Sequence, residues 1–368
     1  MKITRLSAFR QLQPFRDGPY VCSGGRVETG FDSLLVRLQA ADGSEGWGEM
    51  APLGANYDPS FAEGARAALP VLSSVVLGSD ATAPAVLARR MDVAMKGHPY
   101  AKAAIDMAGW DLLGRLTGLS LAQLTGGADG DSVRLYRSVP VAGPEAMAER
   151  ARLYVREGYL RLQVKVGNDP REDVERLTAV AAAVGPGIVL FCDANGGWGP
   201  ASARIFIQAT RSLDYVLEQP CATYEQTLAI RGACDRPLVL DETIEDLATL
   251  RRALADGLAD GITIKIARVG GITKARLIRD VAADAGLMVT VEDTGGAEID
   301  TAAMVLLSLS TPAHLRQHTV DFNNWVTVGN ADGLPPCGNG LIRPPTGPGL
   351  GLTVREGALG APIADYQA

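Results

Sequence analysis

The chain has 368 residues, with 35 Lys and Arg against 42 Asp and Glu, for a formal net charge of −7. That balance lacks the basic footprint a nucleic-acid partner requires, and no apolar run reaches the roughly 20 residues of a membrane span. At about 150 residues per domain, the length predicts two domains or one barrel with additions.

In chain order, "MKITRLSAFR" carries charge where a signal peptide has its apolar segment, so a cytoplasmic protein is expected. "DGPYVCSGGRVETG" is Gly-rich and reads as a mobile loop. Next, "SLLVRLQAADGSEGWGEM" sets two strand-like runs around "ADGSEG", a hairpin signal. From about 60 to 125 the spacing turns helical, as in "YAKAAIDMAGWDLLGRLTG" with its glycine stop. Residues 1–125 therefore predict an α+β unit, with a C-terminal segment from about 335 to 368 packing back on it.

From about 133 short β-branched runs alternate with Ala/Leu/Arg-rich helical runs, starting at "YLRLQVKVG" and "DVERLTAVAAAVG" and ending at "MVTVEDTGG". Each unit takes about 25 to 30 residues, the period of a (β/α) barrel, here assigned to residues 126–334. No G-x-G-x-x-G follows any strand, which disfavours a doubly wound dinucleotide fold. Cys22, Cys192, Cys221, Cys234 and Cys337 include no C-x-x-C pair, so neither a disulfide framework nor a thiolate zinc site is expected. His314 and His318 in "HLRQH" have helical spacing but lack the acid of H-E-x-x-H, and read as a surface turn.

In such barrels chemistry collects at the C-terminal strand ends. Those ends are Lys165 in "QVKVG", Asp193 and Asn195 in "FCDAN", Glu218 in "VLEQP", Asp241 and Glu242 in "VLDET", Lys265 in "TIKIA" and Asp293 in "VEDTG". Any single acid could simply cap the helix after its strand. Capping does not account for acids on three successive strands with a lysine strand on either side. Three carboxylates in one mouth need a cation among them, and an oxygen-only donor set suits Mg²⁺. A strand lysine is ordinarily solvated or paired. Inside a barrel and beside a divalent cation, its pKa is expected to fall toward the operating pH, which makes a general base.

With "VKVG", "DAN", "EQP", "DET" and "KIARVGGIT" in this order, the chain resembles the enolase superfamily, specifically its muconate lactonizing enzyme subgroup. The likeness runs from "MKIT" to "GPGLGLT". It implies an α/β fold: a modified TIM (β/α) barrel with an N-terminal α+β capping domain. It also implies one Mg²⁺ per subunit, with Mn²⁺ as a substitute, on Asp193, Glu218 and Asp241, and Glu242 behind them. Lys165 and Lys265 match the acid/base pair, and a homo-oligomer is expected. The absence of a His-Asp pair in the barrel strands argues against the mandelate racemase type.

Where the subgroup has K-x-K, this chain has Gln163-Val164-Lys165, similar to the branch acting on proline derivatives. That similarity implies removal of the α-proton of a proline-type carboxylate and loss of water, with cis-3-hydroxy-L-proline as expected substrate. The alternative it implies is 2-epimerisation of a proline betaine, a 4-hydroxyproline betaine or another α-amino acid derivative. A tryptophan expected two residues after Asp293 is Gly295 here. Expected substrate contacts are Gln163, Asn195 and Thr294, Tyr20 and Tyr57 from cap loops over the mouth, and Asp293 or Asp321 for the amine. A non-catalytic, metal-dependent binding barrel is the alternative of another class, and two flanking lysines argue against it.

Overall fold

The computed structural model describes residues 1–21 and 25–368, so Cys22 lies outside the described residues. Alternating apolar positions make Ile3–Pro14 and Gly30–Ala40 two long antiparallel strands, with Leu6 opposite Leu38 and Ala8 opposite Val36. The "ADGSEG" turn, with Gly43 at a left-handed φ of 86°, returns the chain as Glu45–Met50 on the other edge of Gly30–Ala40. Ala364–Gln367 pairs with the free side of the first strand, so the end of the chain completes the sheet begun at its start.

Three helices, Ala62–Val76, Pro84–Ala94 and Pro99–Thr117, complete this unit. Proline opens the second and third, where its fixed φ is pre-set for a helix and its missing N–H costs nothing. Helix Pro99–Thr117 is buried on nearly every side because it is wedged between the sheet and the barrel. On the sheet side, a Cβ at Gly46 or Gly48 would overlap the carbonyls of Ala108 and Ala104, so only glycine allows the approach. On the barrel side, Trp110 Nε1 donates to Thr273 Oγ1 at 2.9 Å, and Thr273 N donates to Asp106 Oδ2 at 2.8 Å.

The barrel's parallel strands run in sequence order: Arg137–Val139, Arg161–Lys165, Val189–Asp193, Val216–Glu218, Leu238–Leu240, Gly261–Lys265 and Met288–Glu292. Their apolar outer faces lie under helices that begin at Pro144, Pro170, Pro200, Tyr224, Leu247, Ile272 and Glu298. The irregular segment 315–319 closes the ring. Leu315 O accepts from Val289 N at 2.9 Å on one side, and Thr319 N donates to Arg134 O at 2.9 Å on the other. Among the described residues no helix is long and apolar enough to cross a membrane.

This closing segment corrects the surface-turn reading of "HLRQH". His314 is exposed, but His318 is buried between the rings of Tyr136 and Phe191, at 4.8 and 4.4 Å between centroids. Its depth is set by the backbone bonds of Val289 and Arg134 to either end of the segment, which draw residues 315–319 into the ring. Burial, helped by the positive charge of Arg161, holds the His318 imidazole well below its ordinary 6.5. The unfolded chain therefore takes up a proton below about pH 6.5 that the folded protein refuses, so this group destabilises the fold as pH falls past 6.5. Unfolding in urea at pH 7 and pH 5 should show a loss of about 1.4 kcal/mol per pH unit from this group. His318→Leu should flatten the acidic side of the profile, and an unchanged slope would refute the assignment.

Candidate active site

Alternate residues of a barrel strand face inward. On Arg161–Lys165 these are Gln163 and Lys165, while Leu162 and Val164 join the hydrophobic layer. Register places Lys165 beside Asp193, and Asp193 beside Glu218. Lys165 Nζ donates to Asp193 Oδ2 at 2.5 Å and to Asn195 Oδ1 at 3.2 Å. Asn195 turns the chain at φ 45°, returns its N–H to Asp193 Oδ1 at 2.8 Å, and donates its amide to Glu242 Oε1 at 2.9 Å.

Glu218 accepts from Gln163 Nε2 at 3.0 Å and from Thr263 Oγ1 at 2.8 Å. A neutral amide at 163 thus serves Glu218 without adding a second ammonium beside Lys165. Gln219, at a left-handed φ of 33°, accepts Asp241 N at 2.9 Å and so fixes the start of the next loop. Asp241 meets Arg268 Nη1 at 2.6 Å, Lys265 Nζ at 3.1 Å and the Tyr57 hydroxyl at 3.1 Å. Lys265 also donates to Glu292, its register partner on the next strand, in a short contact.

These contacts sort the charges. Burial, with the negative charges of Asp193, Asp241 and Glu292, pushes Glu218 well above its ordinary range. Burial and the charges of Asp241 and Asp193 push Glu242 up to about 8. Burial would raise Asp241 too, but Lys265 and Arg268 outweigh it and hold the group down to about 2. Burial lowers Lys265, but among the protein's own groups Asp241 and Glu292 more than reverse that and leave it raised. Glu292, on the strand beyond, is a second carboxylate beside this lysine that strand-end position alone does not reveal.

Lys165, Lys265, Gln163, Asp193, Asn195, Asp293, Thr294, Tyr20 and Tyr57 all line one small cavity. Glu218, Asp241 and Glu242 lie just beneath its floor, bonded to lining residues. Asp321 does not line the cavity. It is buried behind the wall, 3.8 Å from Arg137 and accepting from Asn324 Nδ2 at 2.9 Å, so its charge is committed to the scaffold. Thr294 spends its hydroxyl on the carbonyl of Ala51 at 2.7 Å, tying the barrel to the cap.

The tryptophan expected at 295 is absent for a steric reason: a Cβ on Gly295 would overlap the ring of Phe31 from the cap. Phe31 packs edge-on to Phe322, and Phe322 edge-on to Trp325, so the aromatic wall is built from other segments. Residues that the sequence reading missed are Glu292, Arg268, Tyr136, Phe322 and Trp325. Glu292 did leave a signal, because "TVE" repeats the Thr-x-charged pattern of "TIK" one strand earlier. Arg268 lies on the short turn after Lys265, where no strand period predicts a direction.

Among the described residues no three acidic, histidine or cysteine groups converge at metal-ligand distance, because the carboxylates are drawn onto Lys165, Lys265 and Arg268. The donor set still fits a hard divalent cation. Asp193, Glu218 and Asp241 offer oxygen only, from adjacent strands, and the repulsion that raises Glu218 is what such a charge would relieve.

Residues 146–358 match the family described as enolase C-terminal domain-like, and residues 6–126 match the mandelate racemase/muconate lactonizing enzyme N-terminal domain. The chain is 42% identical over the full length of both proteins to cis-3-hydroxy-L-proline dehydratase of Roseibium aggregatum. It is 29% identical to N-succinyl-L-Arg/Lys racemase of Bacillus cereus, over 98% of this chain and 97% of that one. A solved member of the enolase superfamily from Roseovarius nubinhibens ISM, complexed with magnesium, superposes with a TM-score of 0.94 at 34% identity, covering 100% of both chains.

Tyr57 and its neighbour Asp58 hold the cap loop down. Arg268 Nε donates to Asp58 Oδ1 at 2.9 Å, with both side chains under 9% exposed at 4% and 8%. Removing one partner of a buried pair strands the other charge and costs about 3–5 kcal/mol. Arg268→Met and Asp58→Asn should each lower stability to urea. The double variant should lose less than their sum by about 1–3 kcal/mol. Strict additivity would mean that the pair does not hold the loop.

Proposed function

The chain belongs to the enolase superfamily, in its mandelate racemase/muconate lactonizing enzyme family, and on that footing we propose a metal-dependent hydro-lyase acting on cis-3-hydroxy-L-proline. The observation that carries this reading is a pair of lysines in one cavity, Lys165 on the second strand of the ring and Lys265 on the sixth. In a ring of seven strands and one closing segment, those positions are opposite walls.

The stereochemistry of the substrate asks for that opposition. In cis-3-hydroxy-L-proline the hydroxyl shares a ring face with the carboxylate, so the α-proton points to the other face. A base on one wall and an acid on the other then serve an anti elimination. One lysine, as the free amine, takes the α-proton, and the C–H pair becomes the enediolate. That pair then forms the C2–C3 double bond while the C3–O bond breaks with its electrons on oxygen. The other lysine, as the ammonium, gives its proton to that oxygen, which leaves as water. The enamine tautomerises to Δ1-pyrroline-2-carboxylate.

When bound on Asp193, Glu218 and Asp241, a divalent cation such as Mg²⁺ would supply the charge that holds the substrate carboxylate and acidifies its α-proton. With Asp241 turned to that cation, Lys265 loses one of its two anionic neighbours and holds its proton less tightly. Asp293, with backbone N–H bonds from Ala267 and Thr294 at 2.9 and 2.8 Å, is the partner for the substrate's ring ammonium. Tyr57 and Tyr20, the latter 2.8 Å from Ser138 Oγ, exclude water at the mouth.

A second reading draws on the same opposed lysines. Without a leaving group at C3, reprotonation from the far wall inverts C2, and relatives of this chain include a racemase and several epimerases. Pyrroline product from cis-3-hydroxy-L-proline, trapped with o-aminobenzaldehyde, supports the dehydratase; inversion of a proline betaine with no such product would favour the epimerase.

Two predictions test the machinery. Lys165→Ala and Lys265→Ala should each lose about 10²–10⁴-fold or more in kcat. In D₂O one variant should keep α-proton exchange with one enantiomer of proline and the other with its mirror image. Full exchange of both enantiomers by both variants would overturn the assignment. Asp241→Asn should weaken Mg²⁺ binding by calorimetry at least tenfold and abolish turnover, whereas wild-type activity in EDTA-stripped protein would end the metal-dependent reading.

A further inference from the structure

Helix Glu298–Leu309 starts directly behind the cavity wall, and its first turn carries Asp300, which is fully buried. Among the described residues neither oxygen of Asp300 accepts a hydrogen bond. A carboxylate without a donor in a dry site is the costliest form such a group can take. As a neutral acid it needs only an acceptor, and the side chain it meets in hydrogen-bond contact is Asp293, which lines the cavity. Gly296, on the turn between the two acids, runs so close to Asp300 that a Cβ there would overlap the Asp300 Cβ, so the turn is packed directly on this side chain.

The surrounding charges agree. Glu49 of the cap already occupies the helix N-terminus, accepting Ala297 N and Asp300 N at 3.2 Å, so the helix dipole is spent on another anion. Glu49 is fixed by Gln13 at 2.8 Å, Ser33 at 2.7 Å and Asn330 at 2.8 Å. The charged groups facing the pair are therefore Glu49 from the cap and Lys265 from the neighbouring strand. Burial, Asp293 and Glu49 all push Asp300 upward. Asp293 is lifted by burial to about 6, while its bonds from Thr294 N, Ala267 N and Asp300 pull it down.

We propose that Asp300 is a positioning residue: held as the neutral acid, it donates its proton to Asp293 and so keeps Asp293 ionised and aimed at the substrate's ammonium. The two residues together carry one negative charge, matched to one cationic amine. This rests on the reading of Asp293 as the amine's partner.

Three variants test it. Asp300→Asn keeps a donor for Asp293 and should retain a wild-type KM. Asp300→Leu removes the donor and should raise KM about tenfold with a smaller change in kcat. It should also move the acidic limb of kcat/KM to higher pH, because Asp293 then ionises with less help. Infrared difference spectra at neutral pH should show a protonated-carboxyl band in the wild type that Asp300→Asn lacks. Absence of that band, or an unmoved acidic limb in Asp300→Leu, overturns the proposal. Should Asp300→Leu fail to fold, the band in Asp300→Asn against wild type still decides. If Asp293→Asn leaves KM unchanged, the amine assignment falls and the positioning role with it, while the band reports on the shared proton alone.

Discussion

Asp193, Glu218 and Asp241 end three adjacent strands, and each is only 1% exposed. Like charges at that spacing cannot all ionise in a dry site without compensating charge nearby. The protein meets this constraint by placing cations on both sides of the cluster. Lys165 takes Asp193, while Lys265 and Arg268 share Asp241. Glu218, in the middle, receives among the described residues the neutral donors Gln163 and Thr263, and is pushed well toward its acid form. A divalent charge held at the cluster would relieve the repulsion that raises the central glutamate. On the proposed reading, the lysines that balance the cluster would become available for proton transfer once a metal took over that balance.

The cap is bound to this arrangement by buried carboxylates of its own. Glu49 reaches the N-terminus of the helix behind Asp293, Asp106 accepts the Thr273 N–H and hydroxyl, and Asp58 pairs with Arg268. Each links a cap element to the barrel turn or helix that follows a functional strand. The seating of the cap loop and the alignment of the cluster thus share one group: Arg268 touches Asp58 of the cap and Asp241 of the cluster at once. An error in seating the cap would be felt at Asp241 through a single guanidinium.

The fold and the centre of the site were legible in the sequence for related reasons. A barrel repeats one unit, so period and strand-end position together locate Lys165, Asp193, Glu218, Asp241 and Lys265 without long-range information. Legibility fails where direction depends on contacts between distant segments. Asp321 stands in a promising phrase, yet Arg137 from the first strand of the ring holds it behind the wall. His318 reads as surface from its polar neighbours but fills the barrel interior because the segment closes the ring. Gly295 looks like a lost aromatic, and only the position of Phe31, some 260 residues earlier in the chain, explains it. Glu292 is of the same kind: it belongs to the strand after Lys265, and only the register between the two strands brings it to that lysine.

The site's symmetry explains why reaction type is harder to read than reaction start. On the reading proposed above, opposed lysines, a carboxylate-rich floor and a single anion for the amine would serve removal of an α-proton from a cyclic amino acid. They do not by themselves choose between expelling a group and restoring the proton. On that reading the choice would lie in the substrate: whether a hydroxyl stands at C3, on the face opposite the α-proton, where the second lysine could reach it. The protein's part is then to prefer the ring that carries it. Most of the polar groups facing the cavity are already committed: Thr294 to Ala51, Asn195 to Lys165 and Glu242, Tyr20 to Ser138. On the proposed reading, a ring hydroxyl entering such a cavity would meet, besides the two lysines, the lining atoms left without a partner among the described residues, Trp325 Nε1 and Glu292 Oε2, and these are where a preference for the hydroxylated ring would be built.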